Sequence, residues 1–365
     1  MRNTSTSAFL LVVISCGDLF LNAEGFIARS TTTRTKRPLS HRHVGISHIP
    51  DDFASVQDVA STQAHPISNK RTNSTPTLNP VQAAFTKYAL ISYIAHLCIA
   101  LPTVLFPTYL KNEVMIRLGF QTKSASEHEA LQVSQQCAST LLKMIPFMNV
   151  QVSSPYLKEQ EEEPVPTIWV SNHVSMLDTF IFLSLDEQLR GKNRRPIKTI
   201  YWKGLDSNPI CKLVFKMSGF IPIDMADNGN GNPNEYDRAS FKNMLKETKR
   251  AIDEGFDIFI LPEGQLNPTP ETGLQPVFGS PYAIAKSSKR PIQMIGLYGC
   301  HHLWHADEKI GMNVVGRDVK VKVFPPCRKE FTSAEEFVDA FNAVVGTFGA
   351  SGQELPSEEL EKFLA

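Results

Sequence analysis

From residue 167 onward, short runs of β-branched and other apolar residues alternate with longer segments whose apolar residues recur every three or four positions. The short runs predict strands and the longer segments predict amphipathic helices. The predicted strands are Thr167–Ser171, Lys198–Trp202, Gly219–Ile223, Asp257–Leu261, Ile292–Leu297 and Val319–Phe324. The predicted helices are Met176–Leu189, Tyr236–Glu254, Phe278–Ser288 and Ala334–Thr347. This alternation favours an α/β fold with a mixed sheet flanked by helices.

A hydrophobic segment precedes this alternating region. Residues 88–106 form the most hydrophobic stretch after the N-terminal leader, and their number is close to the minimum of about 17 that crosses a bilayer. His96 and Pro102 interrupt the stretch. Three alternatives are open: one membrane-spanning helix, a helix that lies in the membrane interface as an anchor, or a helix buried in the core. Another helix is predicted over Gln132–Met148.

The N-terminus has the composition of a targeting leader. Arg2 precedes an apolar stretch, and Ala23-Glu24-Gly25 places small residues at a cleavage site, which predicts a signal peptide over residues 1–25. Residues 26–50 lack Asp and Glu but contain Arg, Ser and Thr, as a transit peptide does. The combination resembles the bipartite leader of plastid proteins in diatoms and related algae. The expected location is a plastid membrane, and a secretory leader to the endoplasmic reticulum membrane is the alternative.

Composition and segment boundaries limit the remaining possibilities. The 37 basic residues balance the 37 acidic ones, so no overall positive charge points to nucleic acid. The six cysteines form no Cys-x-x-Cys pair, which argues against a disulfide framework. We divide the chain into a signal peptide, a transit peptide or disordered linker, a hydrophobic membrane-anchoring helical segment, the alternating domain and a C-terminal tail. Their bounds are 1–25, 26–80, 81–150, 151–350 and 351–365.

Two polar segments follow apolar strands and carry the candidate chemistry. One reads Ser-Asn-His-Val-Ser-Met-Leu-Asp over 171–178, and the other reads Phe-Ile-Leu-Pro-Glu-Gly over 259–264. On a straight helix, residues five positions apart lie about 140° apart around the axis. His173 is therefore expected in the turn before a helix, with Asp178 reaching back to it from the first turns. In that arrangement the carboxylate fixes the imidazole tautomer, and the imidazole acts as a general base.

These segments, with two others, resemble the glycerophospholipid acyltransferase family. That family's first block reads Asn-His-x4-Asp, as at 172–178, and its third reads Phe-Pro-Glu-Gly, where this chain has Leu261 in place of Phe. Gly219–Asp224 looks like the second block, and Arg290–Ile295 looks like the fourth. The resemblance extends over Pro164–Pro326, with the blocks in the family's order.

The resemblance implies transfer of an acyl chain from acyl-CoA or acyl-carrier protein to the hydroxyl of a lysophospholipid at a membrane surface. It implies His173 as the general base and Asp178 as the residue that orients it. Glu263 is expected to contact substrate or to organise the site, and Lys203 to contact the donor or a phosphate. No cofactor is implied beyond the thioester co-substrate. The expected substrate-binding residues are Asn172, Ser175, Lys203, Glu263 and Gly264.

Departures from the family pattern bear on the acceptor. Family members that act on glycerol phosphate or lysophosphatidate carry Arg where this chain has Met225 and Leu266. A guanidinium suits a phosphate monoester, so its loss favours a lysophospholipid with a diester headgroup. Three alternatives stay open: a 1-acylglycerol-3-phosphate acyltransferase that makes phosphatidate, a phospholipid transacylase like the cardiolipin-remodelling branch, and a catalytically dead lipid-binding protein.

Two other mechanisms receive no support from the sequence. A Gly-x-Ser-x-Gly nucleophile elbow is lacking, so we expect the acceptor to attack the thioester directly, without an acyl-enzyme. His301, His302, His305 and Asp307 form a dense polar cluster, but Trp304 lies within it and the resemblance implies no metal. We therefore expect no metal ion and interpret this cluster as a loop at the rim of the active-site cleft.

Overall fold

A computed structural model describes residues 79–143, 148–154, 166–225, 236–306 and 318–365. The predicted leader and Asp307 lie outside the described residues. The described strands are β1 (Asn149–Ser153), β2 (Ile168–Ser171), β3 (Ile197–Trp202), β4 (Ile221–Ile223), β5 (Asp257–Ile260), β6 (Ile292–Tyr298) and β7 (Asp318–Val323).

The described strands form one mixed sheet in the order β1-β7-β6-β2-β5-β3-β4. Strands β6, β2, β5, β3 and β4 run parallel to one another, whereas β7 is antiparallel to β6 and parallel to β1. The predicted mixed α/β sheet is therefore confirmed. Strand β1 was missed because it is short and lies at the sheet edge, where its pattern of half-buried and exposed residues lacks a strong apolar signal.

Helices pack on the sheet and precede it. They are α1 (Pro80–Arg117), α2 (Lys123–Leu142), α3 (Asp178–Ser184), α4 (Asp186–Arg190), α5 (Pro209–Ser218), α6 (Arg238–Asp253), α7 (Ser280–Ser288), α8 (Ala334–Phe341), α9 (Thr347–Ser351) and α10 (Ser357–Leu364). A π-helical turn, Asn342–Gly346, joins α8 to α9. Short 3₁₀ turns lie at Lys203–Ser207, Pro270–Thr272 and Cys300–His302.

Several predicted boundaries were wrong for local reasons. The predicted helix Met176–Leu189 begins at Asp178 and is divided into α3 and α4, which meet at Leu185. Gly219 does not begin a strand, because it adopts φ 65° and closes α5, so β4 starts two residues later. The predicted C-terminal tail contains α10, which buries Leu360 and Leu364 against the core.

The core lies on both faces of the sheet, and its centre is the parallel pair β2–β5. Phe182 of α3 stacks on Phe259 of β5, with ring centroids 3.9 Å apart. All four residues of β2 and of β5 are buried, as expected for strands covered on both faces. This packing fixes α3, which begins with the candidate catalytic Asp178, against the centre of the sheet.

The predicted hydrophobic stretch 88–106 lies within α1, which packs against α2 and α5 through one side, whereas the predicted anchoring segment 81–150 also includes α2 and the start of β1. Ala95, Cys98, Leu101 and Leu105 are buried on that side, which agrees in part with the core-helix alternative. Other positions of α1 expose large apolar residues. In the part of the chain that the structure describes, every helix is either too short or not apolar enough to cross a bilayer.

Candidate active site

The register of the central strands brings the two predicted polar segments together. Strands β2 and β5 are parallel neighbours in which Val170 pairs with Ile260. His173 and Glu263 each lie three residues beyond this pair, at the carboxyl edge of the sheet. The backbone N–H of His173 donates a hydrogen bond to Glu263 Oε1 at 2.6 Å. The carboxyl ends of parallel strands are where open α/β sheets place their sites.

His173 and Asp178 form the expected pair. Nδ1 of His173 lies 3.1 Å from Oδ2 of Asp178, which is fully buried, while the imidazole is 21% exposed. The same oxygen accepts hydrogen bonds from the backbone N–H groups of Val174 at 2.6 Å and Ser175 at 2.7 Å. The same carboxylate of Asp178 therefore both closes the turn before α3 and orients the imidazole. Because Nδ1 faces Asp178, the Nε2 nitrogen is the one left to take a proton from a substrate.

Glu263 is buried and holds two segments of backbone. Its Oε1 accepts from His173 N, and its Oε2 accepts from Gln275 N at 2.8 Å. Burial raises the pKa of Glu263 to about 8, against the effect of these two hydrogen bonds. Of the two roles expected for Glu263, its described contacts favour organisation of the site, because both oxygens point to backbone donors.

Asn172 and Ser175 belong to the framework that surrounds the pair. Asn172 is fully buried, donates from Nδ2 to Leu297 O, and accepts from Leu297 N at Oδ1, each at 2.8 Å. The buried hydroxyl of Ser175 donates to Trp304 O at 2.9 Å and accepts from Leu177 N. The described hydrogen bonds of both side chains go to other groups of the protein. They support the loop around the pair and do not show the substrate contact that was expected of these two residues.

Two predicted site residues remain, Gly264 and Lys203. Gly264 adopts φ 66°, and a Cβ added there would meet the ring of Phe278 at 2.8 Å, so the turn requires glycine. Met225 is beside Gly264, and Leu266 is half-buried. The exposed Lys203 follows β3, and its Nζ lies 3.9 Å from Asp224 Oδ2. Apolar residues thus occupy the positions where the family pattern has Arg.

Sequence reasoning missed Asn267 and Gln275, which complete the support of His173. Asn267 N donates to His173 O at 2.9 Å, and its buried side chain donates to Gly273 O at 2.7 Å. Gln275 Nε2 donates to Asn267 Oδ1 at 3.2 Å, and Gln275 N binds Glu263. An Asn followed by Pro and Thr is a local signal for a turn, and it offered a reason to single out Asn267.

The predicted histidine cluster is only partly assembled. His301 and His302 form a 3₁₀ turn beyond β6, and Glu271, which the sequence analysis did not include, lies beside them. Nε2 of the buried His301 is 3.3 Å from Glu271 Oε1. This contact with the His301 imidazole lowers the pKa of Glu271 to about 2. His305 is described but does not belong to this group of ligand atoms.

The arrangement supports base catalysis rather than an acyl-enzyme. Two potential nucleophiles of the described residues lie near the pair, Ser175 and Cys300, and both are fully buried. Ser175 already donates its hydroxyl proton to Trp304 O. Burial, followed by the nearby charge of Asp178, raises the pKa of the Cys300 thiol well above its ordinary value, so it is not a thiolate at neutral pH. A hydroxyl that enters the site is therefore the group from which His173 can take a proton.

Comparisons with known proteins agree with this geometry. Residues 155–297 match the protein-family model described as Acyltransferase. The fold is similar to the crystal structure of the 1-acyl-sn-glycerophosphate (LPA) acyltransferase PlsC from Thermotoga maritima, at 17% identity and a TM-score of 0.51. The alignment covers 77% of this chain and 97% of that one. No curated protein matches the chain in a sequence comparison. Residues 155–297 are therefore an acyltransferase domain, and the protein is an enzyme that transfers acyl groups.

Proposed function

We propose that the protein transfers an acyl chain from acyl-CoA or an acyl-carrier-protein thioester to the free hydroxyl of a lysophospholipid. His173 takes the hydroxyl proton as the acceptor oxygen attacks the thioester carbonyl, and Asp178 stabilises the imidazolium that forms. The observation that carries this proposal is the 3.1 Å contact between His173 Nδ1 and the buried Asp178, combined with partial exposure of the imidazole. The thiol of the donor leaves with the proton, so the reaction needs no cofactor.

The charge of the surrounding loops favours an acceptor with a diester headgroup. The loops 172–177, 203–208, 224–237 and 261–279 follow β2, β3, β4 and β5, and their only Lys or Arg is Lys203. Lys203 is near Asp224, which offsets its charge. A phosphate monoester carries up to two negative charges and is normally held by several cationic groups. These loops suit a singly charged diester or an acceptor held mainly by its acyl chain.

A surface that lies against a membrane is part of this proposal, because acceptor and product are both lipids. Large apolar side chains on α1 and just beyond it are exposed, and those at 106, 110, 114 and 118 recur at every fourth position. Such residues lie along one side of a helix. This pattern supports the interfacial anchor, which is one of the three alternatives that the sequence leaves open. Among the described residues of α1 and the turn after it, the exposed large apolar side chains are Val81, Phe85, Tyr88, Val104, Phe106, Leu110, Val114, Leu118 and Phe120.

Acyl transfer by the protein without its leader tests the proposal. Labelled acyl-CoA and acyl-carrier protein are offered with glycerol phosphate, lysophosphatidate, lysophosphatidylcholine, lysophosphatidylglycerol and monolysocardiolipin. We expect the highest kcat/KM with a diester lysophospholipid, and a loss of about 10²–10⁴-fold in His173→Ala. An unchanged rate in His173→Ala would refute the general-base assignment. Phosphatidylcholine offered as the acyl donor tests the transacylase alternative.

A phosphatidate-forming activity is the second candidate. It is favoured by the structural similarity to PlsC, a 1-acyl-sn-glycerophosphate (LPA) acyltransferase. The connection from β6 to β7 contains Lys309 and Arg317, which lie outside the described residues and would have to supply the missing cations. In that case lysophosphatidate is the best acceptor, and replacing both residues with Ala raises its KM more than that of lysophosphatidylcholine.

We propose a plastid membrane as the location, on the basis of the leader composition. Residues 1–60 fused to a fluorescent protein are expected to reach the plastid of an algal host. Retention of the fusion in the endoplasmic reticulum, or its secretion, contradicts this location and favours the secretory alternative.

A further inference from the structure

Three side chains with metal-ligand chemistry meet beside the candidate active site. One ligand atom from each of Glu271, His301 and His302 lies within 4.8 Å of the other two. Glu271 belongs to the turn Pro270–Thr272, whereas the histidines belong to the turn Cys300–His302 beyond β6. Residues about thirty positions apart in sequence thus place two imidazoles and a carboxylate together.

The spacing of these atoms suits a small tetrahedral cation. Zn²⁺ binds imidazole nitrogen and carboxylate oxygen at about 2.0–2.2 Å, so two ligands of a tetrahedral site lie about 3.4 Å apart. His301 Nε2 and Glu271 Oε1 are 3.3 Å apart. Because the whole group spans at most 4.8 Å, a shift of about 1.4 Å or less would bring the third ligand into range. His302 is half-buried, and its ring centroid lies 4.1 Å from that of His301.

His301 is not satisfied by the protein alone. Its side chain is 2% exposed, its Nδ1 has no hydrogen-bond partner within the described residues, and its Nε2 faces only the Glu271 carboxylate at 3.3 Å. Most buried polar side chains have their hydrogen bonds satisfied, so a buried imidazole with an unpartnered Nδ1 and a carboxylate facing its Nε2 calls for an explanation such as an ion. Glu271 is 60% exposed, which leaves an open path for a cation from solvent.

Both turns are held in place independently of any ion. Gly299 precedes the histidine turn with φ 85°, and an added Cβ would lie 2.1 Å from the carbonyl oxygen of Asp318. The other turn is fastened by Asn267, whose side chain donates to Gly273 O at 2.7 Å. A preformed pair of turns lowers the cost of bringing three ligands together.

We propose that Glu271, His301 and His302 form a Zn²⁺ site with two nitrogen ligands, one carboxylate oxygen and a fourth position open to water. The ion would join the two turns that support the catalytic pair. Asn267 holds the backbone of His173, and Trp304, just beyond the histidine turn, holds the hydroxyl of Ser175. The proposal concerns binding of the ion and does not depend on which acceptor the enzyme uses.

The test is titration of the purified full chain, freed of metal by a chelator, with Zn²⁺ and with Co²⁺ as a spectroscopic probe. The variants are Glu271→Gln and His302→Gln, with His128→Gln as the matched control on α2, because His128 is another half-buried histidine outside the cluster. Even loss of an outer-shell partner weakens metal binding by about 10–100-fold, so loss of a ligand should cost more than about 100-fold.

The expected result is one Zn²⁺ per chain, a tetrahedral Co²⁺ spectrum and a Zn²⁺-dependent rise in Tm. All three features should persist in the control and disappear in both cluster variants. Zn²⁺ affinities that are equal in the wild type and both cluster variants overturn the proposal, as does a wild type that takes up no Zn²⁺. The Tm of each metal-free variant reports whether it has folded, and the exposed Glu271 is expected to tolerate replacement.

Discussion

Replacement of Asp178 by Asn isolates the electrostatic part of the catalytic pair. Asp178 Oδ2 accepts from His173 Nδ1, Val174 N and Ser175 N, while its Oδ1 has no hydrogen-bond partner in the described part of the chain. An Asn can place its carbonyl oxygen where Oδ2 lies and keep these three contacts. The variant therefore removes a negative charge with little change in the shape of the turn.

The size of the effect follows from the distance and the burial of the pair. With Nδ1 and Oδ2 3.1 Å apart, the centres of the imidazolium and carboxylate charges lie about 4 Å from each other. At an effective dielectric constant of about 20, their attraction is about 4 kcal/mol. It acts only once the imidazole has taken the proton, so it lowers the barrier without strengthening substrate binding. We expect kcat of Asp178→Asn to fall by about 10³-fold, with KM nearly unchanged.

Initial rates at saturating acyl donor and acceptor measure this loss, and vesicle binding and Tm report whether the fold is retained. Asp253→Asn is the matched control, because Asp253 is an exposed carboxylate of α6 that pairs with Lys249 at 3.0 Å. The control should keep the wild-type kcat. A loss of less than tenfold in Asp178→Asn, or a loss confined to KM, would refute the view that Asp178 stabilises the imidazolium.

Three other variants test the framework, each measured by urea unfolding. Glu263→Gln keeps one of two acceptors and should cost about 1–3 kcal/mol at pH 5. Because the folded pKa of Glu263 is raised from 4.5 to about 8, wild-type stability falls as pH rises between these values. The deficit of the Gln variant should therefore narrow towards pH 8, and a constant deficit contradicts the raised pKa. Asn172→Ala leaves Leu297 N and O buried without partners and should cost about 2–5 kcal/mol; a cost below about 1 kcal/mol contradicts this role. Lys198→Met leaves the buried Glu127 without its main partner and should cost about 3–5 kcal/mol, part of which the double variant with Glu127→Leu recovers.

The local elements were predictable from the sequence where one short segment contains all the residues that determine the element. The apolar runs that became β2 and β5 are continuous because both faces of these strands are covered. The turn from His173 to Asp178 was also predictable, since the carboxylate bonds backbone N–H groups only three and four residues away. Boundaries that depend on a residue's backbone conformation, such as the end of α5 at Gly219, were not predictable from the sequence.

The sequence by itself determined the strand–helix alternation, the pairing of His173 with Asp178 and the resemblance to an acyltransferase family, because each rests on residues that are near in the chain. Only the tertiary structure decided the roles of Glu263, Asn172 and Glu271. The partners of Glu263 lie 90 and 12 residues away along the chain, the partner of Asn172 lies 125 residues away, and the partner of Glu271 lies 30 residues away. Such contacts depend on strand order and register, which set which loops meet at the carboxyl edge of the sheet. Spacing along one sequence does not specify them, because many strand orders satisfy the same hydrophobic pattern.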